Sequence, residues 1–226
     1  MSAVLERLRG GLIVSVQAEA GSPLGAPEAI ALLSRVAVAN GAAGVRAEGL
    51  ARLGAVRRAV RVPLVGLVKR AYPGFEPYIT ASEREIAEAV AAGAEIVAFD
   101  ATGRPRPDGR DVAAVVAAIR ARGALAMADC ATADDVRRAA AAGAEIVATT
   151  LCGYTEGTRG TPLPALELIR ACAASGAFAI GEGGIGSPAD VRAAFAAGAD
   201  AVVVGTALTN LDVLVRRFAA AAPRAG

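Results

Sequence analysis

Few residues in this sequence can carry chemistry. The 226 residues include no histidine and a single lysine, Lys69, while every other basic residue is arginine. Losing histidine removes the commonest general base, the Ser-His and Cys-His nucleophile pairs and the commonest zinc ligand. Proton transfer is left to lysine, carboxylates, tyrosine or cysteine. Arginine cannot give up its proton near neutral pH, whereas a suitably placed lysine can. A chain that uses arginine throughout yet keeps one lysine therefore marks Lys69 as an acid/base candidate.

Other chemistry-bearing residues close apolar runs, as Lys69 nearly does: Gln17 after LIVSV, Arg46 in GVRAE, Asp100 in AFD, Asp129 in AMAD, Thr149 and Thr150 after IVA, and Glu182 in AIGE. Two cations, an amide and three carboxylates converging on one mouth would suit a small polar substrate. Glycine-rich GEGGIGSP (181–188) and VGT (204–206) add a second feature. Glycines let successive backbone N–H groups approach an anion, so Gly183, Gly184, Gly205 and Thr206 are candidates for holding a phosphate. GEGGIG also fits a dinucleotide fingerprint, but too little chain follows it to complete the required βαβ unit.

What must position these residues is visible as an internal echo. NGAAGVRAEG from Asn40, AGAEIVAFDATG from Ala92, AGAEIVATTLCG from Ala142 and AGADAVVVGTAL from Ala197 each read as a helix end, a glycine cap and a strand, about 50 residues apart. Apolar runs at 12–16, 64–68, 125–128 and 178–180 complete eight strands. Apolar residues at three and four spacing predict helices over 27–41 and 82–93. Ser82 with Glu85, Thr132 with Asp135 and Ser187 with Asp190 supply helix-start signals, and Asp134 and Asp135 complement a helix dipole. The strands are continuously apolar, as buried parallel strands are. Eight βα units of about 28 residues predict one (β/α)₈ TIM-barrel domain over 1–226, with reactive groups at the C-terminal strand ends. The tail RRFAAAAPRAG reads as a last helix and a frayed end. KRAYPGFEPYITA (69–81), the longest loop, reads either as a lid over the mouth or as a surface loop.

Composition excludes several classes. Lys+Arg 24 against Asp+Glu 22 gives a net charge of +2, far from a nucleic-acid binder's basic stripe. The apolar stretch at 12–16 is too short for a signal-peptide core or a membrane span. Cys130, Cys152 and Cys172 form no C-x-x-C and read as small buried fillers in a reducing, cytoplasmic setting. No histidine or closely spaced carboxylate set offers a metal site, and no cofactor is expected.

LIVSVQAEAGSPLG (12–25), GVRAEG (44–49), PLVGLVKRAYPGFEPYIT (63–80), AFDATGRPRPDG (98–109), AMADCAT (126–132), ATTLCGYT (148–155) and GEGGIGSP (181–188) together resemble the N-acetylmannosamine-6-phosphate 2-epimerases of sialic-acid catabolism. The resemblance spans nearly the whole chain. It implies a (β/α)₈ isomerase that inverts C2 of N-acetylmannosamine 6-phosphate to the gluco epimer by deprotonation and reprotonation. Lys69 and Glu182 would be the catalytic pair, and Gln17, Arg46 and Asp129 would bind substrate. The chain departs from the family at Gly183, where relatives often carry a basic residue, and in TALTNLD, which has none; phosphate binding then falls to backbone amides or to Arg104. Cys152 replaces a frequent small hydroxyl residue. Two alternatives stand beside this reading: a Schiff-base aldolase or lyase acting on a phosphorylated sugar acid through Lys69, and a non-catalytic phosphate-binding barrel. The expected partner is a small phosphorylated amino sugar rather than nucleic acid or membrane. Oligomeric state, self-association included, is left open, as is one base against two.

Overall fold

Within each apolar run the side chains divide by parity, because successive residues of a strand face opposite sides. Ile13, Val65, Leu67, Ile96, Ala98, Met127, Ile146, Ala148, Ile180 and Val203 share one buried cluster, while Val14, Val16, Val45, Val97, Phe99, Ala126, Ala128 and Val147 belong to another. A sheet with two buried faces that closes on itself satisfies both sets. The computed structural model, which describes residues 2–223, has this form. Strands β1 (Leu12–Val16), β2 (Gly44–Glu48), β3 (Leu64–Leu67), β4 (Ile96–Asp100), β5 (Leu125–Asp129), β6 (Ile146–Ala148), β7 (Phe178–Glu182) and β8 (Ala201–Val204) run parallel in sequence order, and β8 pairs with β1 to close the barrel.

The expected fold is thus borne out, with ends shifted by a residue or two. Strand β3 stops at Leu67 rather than Val68, and β5 and β7 continue to Asp129 and Glu182.

The first cluster fills the barrel interior and the second lies between sheet and helices. Helix α1 (Ala3–Leu8), not anticipated from the pattern, puts Leu5 and Leu8 into the interior cluster and so closes the barrel floor. The outer ring is α2 (Pro27–Ala39), α3 (Leu50–Ala59), α4 (Glu83–Ala91), α5 (Val112–Arg120), α6 (Ala133–Ala141), α7 (Leu166–Ala173) and α8 (Pro188–Ala196).

The cap signals are realised. Ser82 with Glu85 and Thr132 with Asp135 form capping boxes, and the Asp190 N–H donates to Ser187 Oγ. Glycines 41, 93, 143 and 198, which end the four echoing helices, all have positive φ. At Gly93 a Cβ would also meet Arg57 Cγ at 2.7 Å, so both backbone and space require glycine there.

A short helix, α9 (Thr206–Thr209), follows β8, and α10 (Leu211–Ala221) follows it. Helix α10 buries none of its residues, leaving Leu211, Val215 and Phe218 exposed. The frayed end expected beyond it lies outside the described residues. No described helix is long and apolar enough to cross a membrane.

Candidate active site

Parity also aims the polar residues. Continuing the interior register by two residues along each strand reaches Gln17, Glu48, Lys69, Asp100, Asp129, Thr150, Glu182 and Gly205, one from each strand or its end. The alternation that builds the core therefore places a polar ring above it. Arg46 is the exception to the expected placement. It is not at a strand end but at the centre of β2, one layer lower, paired in register with Ser15 and Val65. Its length lets the guanidinium rise into the ring while the residue stays 1% exposed.

The mouth holds a cavity of about 790 Å³ lined by Gln17, Arg46, Lys69, Glu182, Gly183, Gly184, Gly205 and Thr206, eight of the ten residues to which the sequence assigned a catalytic, substrate-binding or phosphate-binding role. The other two lie elsewhere. Asp129 lies against the Arg46 guanidinium, fully buried. Arg104 lies outside the lining, bonded to Asp100 Oδ2 (2.6 Å), Glu76 Oε2 (2.8 Å) and Thr102 Oγ1 (2.9 Å). Asp100 is committed to that loop, also accepting from Thr102 Oγ1 at 2.6 Å. Arg106 stacks on the Phe99 ring at 5.6 Å, remote from the lining.

Sequence reading missed Glu48, Arg52, Tyr78 and Arg217, which also line the cavity. Parity would have found Glu48. Nothing local points to Arg217, because α10 carries it back over the mouth.

One guanidinium serves two acids. Arg46 donates to both oxygens of Asp129 (Nη1 to Oδ1 3.1 Å, Nη2 to Oδ2 2.6 Å), and its Nη1 lies 3.1 Å from Glu182 Oε2. Burial opposes the Arg46 charge, but Asp129 and Glu182 outweigh it and hold the group more basic than usual. Thr150 Oγ1 sits between the acids, 2.7 Å from Asp129 Oδ1 and 3.0 Å from Glu182 Oε2. Its neighbour Thr149 faces outward and pins the backbone of Glu182, accepting from its N–H and donating to its carbonyl. Both threonines of ATTL thus hold Glu182.

Burial pushes the Glu182 carboxyl up to about 7, with Asp129 adding to the rise and Arg46 resisting it. Lys69 is pulled below its ordinary 10.5 by burial and then by the Arg46 charge, and its Nζ donates to Gln17 Oε1 at 2.6 Å. A lysine shifted toward its neutral form thus shares a cavity with a carboxyl shifted toward its acid form.

Loop 69–81 is a hairpin rather than a free lid. Lys69 bridges Ile79, and Thr80, at φ 44°, exchanges two hydrogen bonds with Val68. A β-branched residue at positive φ is held only by such contacts, and these fix the residue preceding Lys69. Tyr72 bonds to Glu85 at the start of α4, Phe75 is exposed, and Tyr78 alone of the three aromatics reaches the cavity.

At the opposite rim the N–H groups of Gly183, Gly184, Gly205 and Thr206 donate to no described group. Gly184 is also required by packing, since a Cβ would lie 2.3 Å from Leu163 Cβ. All three cysteines are buried and free. Burial raises each thiol, Cys172 to about 12, which suits fillers and not nucleophiles. Among the described residues no cluster of three or more His, Cys, Asp or Glu is arranged to hold a metal ion.

The raised Glu182 value predicts a pH dependence of stability. Between the ordinary 4.5 and about 7 the folded chain holds a proton that the unfolded chain has lost. This group's contribution is therefore fully present below 4.5 and is lost as pH rises through 7, by up to about 3 kcal/mol. Glu182→Gln should flatten that part of a urea-stability profile. An unchanged slope would place the titration elsewhere.

Residues 30–224 match the family model "Putative N-acetylmannosamine-6-phosphate epimerase". Proteins designated as 2-epimerases of the same sugar phosphate are similar along nearly the whole chain. One from Synechococcus elongatus is 45% identical over 221 residues, covering 96% of this chain and 95% of its own. One from an Enterobacter species is 40% identical over 226 residues, covering 98% and 96%. Among solved structures, the N-acetylmannosamine-6-phosphate 2-epimerase of Clostridium perfringens superposes with a TM-score of 0.93 at 33% identity, over 98% of this chain and 97% of that one. A deoxyribose phosphate aldolase from Aeropyrum pernix reaches 0.64 at 20% identity, over 95% and 99%, and shares the fold alone.

Proposed function

This chain belongs to the N-acetylmannosamine-6-phosphate 2-epimerase family, and from that premise we propose that Lys69 and Glu182 move the protons of a C2 inversion above Arg46. The enzyme is an isomerase that interconverts N-acetylmannosamine 6-phosphate and N-acetylglucosamine 6-phosphate. The difficult step is removal of the C2 hydrogen. In the ring-opened sugar C2 adjoins the aldehyde, so its loss leaves an enediolate-like anion that a fixed cation can stabilise. Arg46 is that cation, and its partners Asp129 and Glu182 hold it in place. Lys69 takes the proton, and Gln17, accepting from its Nζ, orients the amine toward the substrate.

The observation that carries this reading is the position of the two proton carriers. Strands β3 and β7 are four apart in an eight-stranded ring, so Lys69 and Glu182 rise from opposite walls. Inversion needs protons handled on opposite faces of C2, and this arrangement supplies one group for each. The phosphate would lie on the free N–H groups of Gly183, Gly184, Gly205 and Thr206, with Arg217 as the nearby cation in place of the basic loop residue this chain lacks. The loop contacts of Arg104 favour these amides over that side chain. A Schiff-base aldolase finds no comparable support, since its structural likeness extends to fold alone.

The experiment is proton NMR in D₂O with N-acetylmannosamine 6-phosphate and no added cofactor or metal. Deuterium should enter C2 as the gluco epimer forms. Unphosphorylated N-acetylmannosamine should have a kcat/KM lower by about tenfold or more, because binding energy at the phosphate positions the reacting carbon. Turnover with C2 protium retained would exclude an exchanging base, and borohydride trapping of a Lys69 adduct would favour the aldolase.

A cytoplasmic location is in keeping with three buried free thiols. The apolar face of α10 supports self-association between copies of the chain, and Phe218→Glu should then lower the mass measured by sedimentation. An unchanged mass would place any interface elsewhere.

A further inference from the structure

Threonine is poorly suited to left-handed backbone, because its branched Cβ crowds the chain there. Thr80 is the one non-glycine among the described residues with a positive φ, 44°. It is fully buried. What holds it is Val68: the Thr80 N–H donates to the Val68 carbonyl at 2.8 Å, and the Val68 N–H donates to Thr80 Oγ1 at 3.2 Å. Both backbone polar groups of Val68 are thus bound by one residue, and the residue that follows Val68 is Lys69.

The barrel's own ladder stops short of Lys69. Strands β3 and β4 pair at Val65 with Ile96 and at Gly66 with Val97, whereas β4 and β5 stay paired as far as Asp100 with Asp129. On the other side the last register pair of β3 is Leu67 with Glu48. The return limb of the hairpin fills the gap that opens between β3 and β4. The Asp100 N–H donates to the Ile79 carbonyl at 3.0 Å and the Arg70 N–H to the Tyr78 carbonyl at 3.0 Å. Ile79 is buried with Val65, Leu67 and Ala98 in the interior cluster. Thr80 is where this inserted limb meets Val68 and turns away, for the N–H groups of Ala81 and Ser82 donate to Glu85 of α4.

We propose that Thr80 is a positioning residue for Lys69: its hydroxyl and its N–H lock Val68, and so fix the direction in which the Lys69 side chain leaves the backbone and enters the cavity. The proposal rests on the epimerase reading only for the use made of the amine. Glycine would relieve the backbone at this φ but offers no acceptor to the Val68 N–H, so the hydroxyl is what the strained threonine supplies. Lys69 Nζ meets Gln17 Oε1 at 2.6 Å at the far end of a long, flexible side chain. A small rotation of the backbone at Val68 is magnified along that length and carries the amine out of proton-transfer geometry.

The test uses the chain's single lysine as its own probe. Full-length protein labelled with ¹³C at lysine Cε gives one NMR signal, from Lys69 alone. When the side chain is held in one direction, the two protons on that carbon have separate shifts; when it swings freely, they average. The native protein should show separate shifts, Thr80→Ser should retain them, and Thr80→Val and Thr80→Gly should merge them. In deuterium exchange at C2, Thr80→Val and Thr80→Gly should lower kcat by about tenfold or more and leave KM within about twofold, since a displaced base affects the reacting step and not ground-state binding. Thr80→Ser should restore the rate. A threonine that served only the turn would be replaced by glycine without loss of rate. Native-like shifts or a native-like kcat in Thr80→Gly, or native protein whose Cε protons are already averaged, would overturn the proposal. If Thr80→Val does not fold, Thr80→Gly, whose backbone suits the turn, decides. Separate shifts that merge in Thr80→Gly, in a protein without C2 exchange, would count against the epimerase reading alone.

Discussion

Lys69→Arg will lower deuterium incorporation at C2 by roughly 10²-fold or more, the usual scale of general acid–base catalysis. The substitution keeps a positive charge and most of the side-chain length, so electrostatic attraction for a phosphorylated sugar survives. What it removes is a group able to be neutral. Lys69 is brought below its ordinary 10.5 by burial and by Arg46, which favours its neutral form, whereas a guanidinium in the same place stays charged. In the native enzyme the rate should rise with pH along a limb lying below 10.5, and the variant should lack that limb. Exchange retained in a folded Lys69→Arg protein would remove Lys69 as the base and transfer the role to Glu182.

Arg46→Leu should cost about 3–5 kcal/mol of folding stability at pH 8, far above the cost of changing a surface arginine. The guanidinium is fully buried and joins Asp129 and Glu182, so its removal strands two carboxyl groups in the barrel interior. Stranded acids can escape by taking up protons. The loss should therefore be smaller at pH 5 than at pH 8. Urea denaturation at the two pH values measures both quantities. A loss below about 1 kcal/mol would mean that Arg46 is solvated in solution and that the triad is not closed.

How much of this was legible in the chain differs from one residue to the next. Lys69 stood out because composition isolates it, and Glu182 and Asp129 because each closes an apolar run. Glu48 was equally available by counting in twos from Gly44, and the same count distinguishes inward Thr150 from outward Thr149. Arg104, expected near the phosphate, is bonded within its own loop and to the hairpin for a physical reason. A cation in a loop at the mouth is free to bind an anion only if no acid of the chain reaches it first, and Asp100 and Glu76 do. Sequence distance hides the second of these, which arrives from the neighbouring hairpin.

The sequence by itself determined what depends on short spans of chain: eight apolar runs, the glycine that ends each echoing helix, the capping pairs at 82 and 85, 132 and 135, and 187 and 190, and hence a (β/α)₈ barrel with polar residues at one end. These follow from periods of two and 3.6 residues and from contacts three or four positions apart, which any reader of the chain can count. Only the tertiary structure decided which polar residues meet. Arg46, Asp129, Thr150 and Glu182 come from β2, β5, the end of β6 and β7, and they touch because the sheet closes and because one long side chain rises a full layer to reach the others. The shifts of Glu182 and Lys69 belong to that closure too, since the barrel brings around each the protein atoms that desolvate it and the charges that act on it.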